Sequence, residues 1–83
     1  MSLEYYKKQM VDLWARLQKE KDAKKKDNEY YARCIKGATT PTSKASYRKS
    51  KIDHAASHDR QIESLKRQIE TCKENIARER KRK

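Results

Sequence analysis

The chain has 83 residues, one glycine and one proline, and 42% of its side chains are charged, for a formal net charge of +11. Only 34% of the residues are hydrophobic and phenylalanine is absent, which excludes a conventional globular core and leaves long helices or disorder. Two cysteines are too few for a secreted disulfide framework, and no window approaches the roughly 18 apolar residues of a membrane span. We therefore expect a cytoplasmic protein without a signal peptide or membrane span.

The first predicted element is a helix over residues 2–36. Its apolar side chains recur at steps of three and four, which is typical of one face of an α-helix and of a coiled-coil seam. After a polar interruption, Tyr31 continues the stripe that begins with Leu3, Tyr6, Met10, Leu13 and Leu17. The pattern acid-tyrosine-tyrosine occurs at residues 4–6 and again at residues 29–31. The 25 steps between them, at about 100° each, return both pairs to nearly the same face.

A turn is predicted over residues 37–41, followed by a second helix over residues 42–80. Gly37 suits a helix C-terminal cap, and Thr40 suits an N-cap because Pro41 would follow at the first helical position; Thr42 is the alternative cap. The apolar spacing of the first helix returns in the second at Ile62, Leu65, Ile69, Cys72 and Ile76.

Folding the chain back at this turn makes the two apolar stripes coincide. Leu3 would then lie near Ile76, Tyr6 near Cys72, and Leu17 near Ile62. The predicted fold is all-α: a single antiparallel two-helix hairpin over residues 1–83, resembling a coiled coil.

Several apolar and aromatic side chains fall outside the predicted seam, among them Tyr5, Val11, Trp14 and Tyr30. The conformational entropy lost on ordering so many residues costs more free energy than burial of one apolar seam supplies, so an isolated hairpin should be only marginally stable. A surplus stripe usually packs against another element. We therefore expect a non-enzymatic interaction protein that either self-associates into a four-helix bundle or docks on a partner protein's helices.

Positive charge is concentrated in two segments, which supports nucleic-acid binding as the alternative function. Between Tyr30 and Ile52 there are six basic residues and no acid, and a basic tail covers residues 78–83. Cations can bind phosphates while neighbouring tyrosines stack on bases. The candidate contacts are Arg33, Lys36, Lys44, Arg48, Lys49, Lys51, Arg80, Lys81 and Arg82.

No motif of catalysis or cofactor binding is present. The sequence has no glycine-rich phosphate loop and no nucleophile motif, so we expect neither an enzyme, nor a cofactor, nor a small-molecule substrate. His54 and His58 have the spacing of two metal ligands on a helix. The hairpin, however, leaves Cys34 about 15 Å from His54 along the axis. We interpret both histidines as ordinary polar residues and expect no metal.

The outline of the chain resembles the WXG100 group, small helical-hairpin proteins that are exported by type VII secretion or serve as partners in it. The resemblance covers architecture and approximate length. The Trp-x-Gly turn of that group is absent, because the turn reads IKGATT and Trp14 lies in mid-helix. Four places after Tyr47 comes Lys51 instead of the acid of the export signal. A WXG100-like partner of a secretion system is thus a minor alternative, beside a small phage-encoded inhibitor of similar size.

Overall fold

The computed structural model describes residues 2–82 as two antiparallel helices, α1 (Leu3–Gly37) and α2 (Pro41–Lys81), which pack along their length. The Cα atoms span 66 × 14 × 12 Å, the dimensions of a thin rod. This confirms the predicted all-α helical hairpin. Met1 and Lys83 lie outside the described residues, so the basic tail predicted over 78–83 is described as far as Arg82.

Each helix starts at a hydroxyl side chain that caps its first turn. The hydroxyl oxygen of Ser2 accepts a hydrogen bond from the backbone N–H of Tyr5 at 3.3 Å, and that of Thr40 accepts one from Ser43 at 3.1 Å. Pro41 follows Thr40 at the first helical position, where its missing N–H costs nothing. Thr40, and not Thr42, is therefore the cap of α2.

The expected role of Gly37 as a C-terminal cap is wrong. Gly37 is the last residue of α1, and the cap is Ala38 in an extended conformation, with φ −71° and ψ 136°. The backbone N–H of Ala38 donates to the carbonyl of Ile35 at 3.3 Å. Thr40, the N-cap of α2, is extended as well, with φ −118° and ψ 149°. No residue among 2–82 has a positive φ, so the conformational freedom of glycine is not used in this turn.

The hydrophobic core is small and lies toward the end of the rod where the two termini meet. Its five buried residues, joined by the half-buried Tyr6, Met10, Leu65 and Ile76, are Leu13, Leu17, Ile62, Ile69 and Cys72. The thiol of Cys72 donates to the backbone carbonyl of Tyr6 at 3.1 Å, so two residues that the predicted pairing brings together are in contact.

The rod therefore has two distinct halves. We call residues 3–19 and 61–82 the terminal half, and residues 20–60 the turn half. All five buried residues belong to the terminal half. In the described part of the chain, neither helix contains a stretch long and apolar enough to cross a membrane.

Candidate interaction surfaces

The four residues predicted to form a partner interface lie on two opposite sides of the rod. Nine positions along a helix turn by about 900°, which places Tyr5 half a turn away from Trp14. Val11 lies about 60° from Trp14, whereas Tyr30 lies on the side of Tyr5. We call the first side the Trp14 flank and the second the tyrosine flank. One flat partner surface cannot cover both.

The Trp14 flank contains a shallow groove of about 400 Å³ between the two helices. Its floor is formed by Trp14, Leu17 and Ile69. Trp14 is 49% exposed and the neighbouring Val11 is 71% exposed, although both are large apolar side chains. The rim of the groove is charged and consists of Lys21, Lys66, Glu70 and Lys73. The ammonium group of Lys73 lies 5.9 Å from the centroid of the Trp14 ring, within reach of a cation–π contact.

The two tyrosine pairs have the same local geometry. The rings of Tyr5 and Tyr6 meet edge to face with centroids 5.4 Å apart, and those of Tyr30 and Tyr31 do so at 5.1 Å. In each pair the second tyrosine is half-buried in the seam, and the first is exposed on the tyrosine flank. The repeated motif thus places one exposed ring near each end of α1.

The turn end of the rod brings basic and aromatic side chains together. Hydrogen bonding to Cys34, with smaller effects of burial and of the nearby Tyr47 and Tyr31, raises the pKa of Tyr30. Most of the predicted phosphate contacts in this region are exposed, whereas Lys44 and Lys51 are half-buried. The basic residues at the C-terminal end of α2, Arg80 and Lys81, and the following Arg82 lie at the opposite end of the 66 Å rod. The two basic clusters therefore cannot grip one phosphate group together.

A network of ionisable side chains closes the seam in the turn half. The imidazole of His58 lies between two carboxylates of α1: Nδ1 is 2.6 Å from Glu20 Oε1, and Nε2 is 2.6 Å from Asp27 Oδ2. A neutral imidazole has one N–H, so His58 can donate to both carboxylates only in the imidazolium form, which has an N–H on each nitrogen. We call Glu20, Asp27, His54 and His58 the waist network.

Electrostatics within the waist network follow from this geometry. The hydrogen bond to Asp27, followed by the one to Glu20, raises the pKa of His58. The same contact with His58 lowers the pKa of Asp27 despite the opposing effect of burial. His54 Nδ1 lies 3.4 Å from Asp27 Oδ2, and His54 Nε2 lies 3.2 Å from the hydroxyl of Tyr31. The network therefore links two carboxylates, two imidazoles and the hydroxyl of Tyr31 across the seam.

The waist network was not anticipated as a unit, although the sequence contained a signal for it. The heptad spacing that continues the first seam past Leu17 reaches Glu20 and Asp27, and the spacing of Leu65 and Cys72 extends back to His58. The heptad spacing alone could therefore have predicted that His58 faces the two acidic residues of α1. Within residues 2–82, no group of three or more His, Cys, Asp or Glu side chains is arranged to hold a metal ion. Cys34 and Cys72 are both free thiols.

No protein-family description, curated protein or solved structure matches this chain.

Proposed function

We propose that this chain is a non-enzymatic interaction protein that binds a protein partner, or a second copy of itself, through the Trp14 flank. The observation that carries the proposal is the groove floor of Trp14, Leu17 and Ile69, which joins the buried core to a half-exposed tryptophan. Tryptophans in such positions are frequently the energetic centres of interfaces.

The energetics of the hairpin support this function. Five buried side chains at about 1.5 to 3 kcal/mol each are few for 76 helical residues, because ordering each residue costs on the order of 1 to 2 kcal/mol. A further helix laid on the Trp14 flank would bury Trp14 and Val11 and enlarge the same core. The partner would thus stabilise the fold and the fold would present the binding site.

Site-specific photo-crosslinking in the native host tests this proposal. A photoreactive amino acid at position 11 should give a defined protein adduct, and the adduct should disappear when Trp14→Ala is added. The same probe at position 5, which is 48% exposed on the tyrosine flank, is the matched control. Two results would show that the Trp14 flank is not the binding surface. One is the absence of an adduct from position 11, and the other is equal adduct formation from positions 5 and 11 that is unchanged by Trp14→Ala.

Nucleic-acid binding at the turn end is the second candidate function. It is favoured by the run from Tyr30 to Ile52, which has six basic residues and no acid, with Tyr30 and Tyr47 exposed beside them. Such a surface can hold phosphates and offer rings for base stacking.

A salt series separates this candidate from the first. Binding of a generic RNA or duplex oligonucleotide should weaken steeply with rising salt if several phosphates are contacted. The double variant Arg48→Glu/Lys49→Glu should reduce the affinity and the salt slope, whereas Trp14→Ala should leave both unchanged. An absence of binding at low salt removes this candidate.

A further inference from the structure

We propose that the occupant of the Trp14 flank is an acidic amphipathic helix of another protein. This inference rests on the proposed function and specifies its partner. Three observations support it: the charge of the groove rim, the poor fit of a second copy, and the shape of the groove.

The rim of the groove is predominantly positive. Lys21, Lys66 and Lys73 line it, and Glu70 is its one acidic residue. Lys7 lies on the same side of α1, because seven positions turn by about 700°, close to two full turns. A partner with carboxylates beside its apolar stripe would meet these ammonium groups. Such complementarity increases the association rate and disfavours partners of the wrong charge.

The same charges disfavour a second copy as the occupant. A symmetric dimer joins identical patches, so each lysine-rich rim would face the other rim. The net charge of +11 opposes this approach further, and the single Glu70 offers little compensation.

The form of the groove determines the kind of partner. Two antiparallel helices leave an elongated furrow between them, and Trp14, Leu17 and Lys21 line its α1 side. A helix with apolar residues at i, i+3, i+4 and i+7 fills such a furrow and produces a three-helix arrangement. Extended chains would leave unpaired backbone groups against the apolar floor.

Titration with two synthetic helical peptides tests the proposal on the full chain. Both peptides have three heptads with leucine and isoleucine along one face and no tryptophan. One has glutamate at the flanking positions and the other has lysine there. Trp14 is the only tryptophan of the protein, so its emission reports groove occupancy directly. We expect a saturable blue shift with the acidic peptide, weakened by salt, and binding of the basic peptide at least about tenfold weaker.

Charge reversal sharpens this experiment. The variant Lys66→Glu/Lys73→Glu should reverse the preference between the two peptides. The double variant Arg48→Glu/Lys49→Glu makes the same change in net charge at the turn end and should leave the preference unchanged. Circular dichroism of each variant verifies that the hairpin is retained.

The outcomes distinguish failure of this inference from failure of the proposed function. Equal binding of the two peptides, or an unchanged preference after charge reversal, overturns the acidic partner while the Trp14 flank remains a binding surface. A Trp14-dependent doubling of the mass of the free protein identifies a second copy as the occupant and also overturns it. If neither peptide binds and the crosslinking yield from position 11 is unchanged by Trp14→Ala, both proposals fail.

Discussion

The two halves of the rod are held together by different forces. The terminal half contains all five buried residues, with Leu17 and Cys72 each 2% exposed. The turn half contains the waist network and the ion pair between Lys24 and Asp59, and the large apolar Ile52 is 68% exposed there. Burying an aliphatic side chain contributes about 1.5 to 3 kcal/mol, whereas an exposed ion pair contributes about 0 to 1 kcal/mol. The terminal half therefore supplies most of the stability, and in the turn half the two helices are joined by polar contacts such as those of the waist network.

The largest expected effect comes from one substitution made in each half of the same helix. Ile69→Ala should lower the free energy of unfolding by about 2 to 5 kcal/mol, because it removes a buried side chain and leaves a cavity in a small core. Ile52→Ala should change it by less than about 0.5 kcal/mol, because that side chain already lies in water. Chemical denaturation followed by circular dichroism measures both. Similar losses for the two variants would show that the halves contribute equally.

A smaller effect is expected from the pH dependence of the waist network. The pKa of His58 is raised in the folded state, so its stabilisation is fully present below about pH 6.5 and is lost as the pH rises through that raised pKa. Asp27 acts in the opposite direction: its pKa is lowered, so its contribution is present above about pH 3.8 and is lost as the pH falls further.

The melting temperature measured from pH 5 to pH 8.5 tests this behaviour. It should fall above about pH 6.5 in the wild-type protein, and less so in His58→Gln, whose side chain does not titrate. The effect should be smaller than that of Ile69→Ala because the waist is partly solvated. Parallel curves for the two proteins would show that the contacts of His58 with Glu20 and Asp27 contribute nothing to stability.

The sequence predicted the hairpin well because its apolar stripes are regular, but it predicted the cross-helix contacts less well. Pairing by chain position alone places Tyr31 near Tyr47, whereas the ring of Tyr31 packs on His54, with centroids 5.0 Å apart. Similarly, Lys24 contacts Asp59, although position alone places it beside the small residues Ala55 and Ala56. Side chains lean toward the N-terminus of their own helix, and in an antiparallel pair these directions are opposite. Long side chains therefore meet partners further along α2 than their Cα atoms indicate.

The Trp14 flank was predictable only in part. The exposure of Trp14 and Val11 follows from their positions outside the seam. That Trp14 and Tyr5 lie on opposite sides of the rod becomes apparent only from the helical angle between them. The lysine rim could not be predicted from α1 alone, because Lys66 and Lys73 belong to α2 and are remote from Trp14 in sequence. A surface shared by two helices is visible only once their pairing is known.

A still smaller effect is expected at the start of α2, where the hydroxyl of Thr40 caps the first turn. Thr40→Ala removes the side-chain oxygen that accepts from the backbone N–H of Ser43, and it should cost about 1 kcal/mol. Thr40→Ser keeps the hydroxyl and is the matched control. Hydrogen exchange of the first turn of α2 should accelerate in the alanine variant alone. Equal exchange in both variants would show that Pro41 by itself is sufficient to start the helix.

The smallest expected effect is a stabilisation at Gly37. This glycine is helical, its φ is not positive, and nothing lies within 4 Å of the position that a Cβ atom would occupy. Gly37→Ala should therefore raise the free energy of unfolding by about 0.4 to 1 kcal/mol, because alanine restricts the unfolded chain without straining the folded one. The comparison with Gly37→Asn is decisive, since asparagine tolerates the left-handed conformation but favours a helix less than alanine does. If asparagine stabilised the hairpin more than alanine, position 37 would be a left-handed cap in solution, and the extended cap at Ala38 would be wrong.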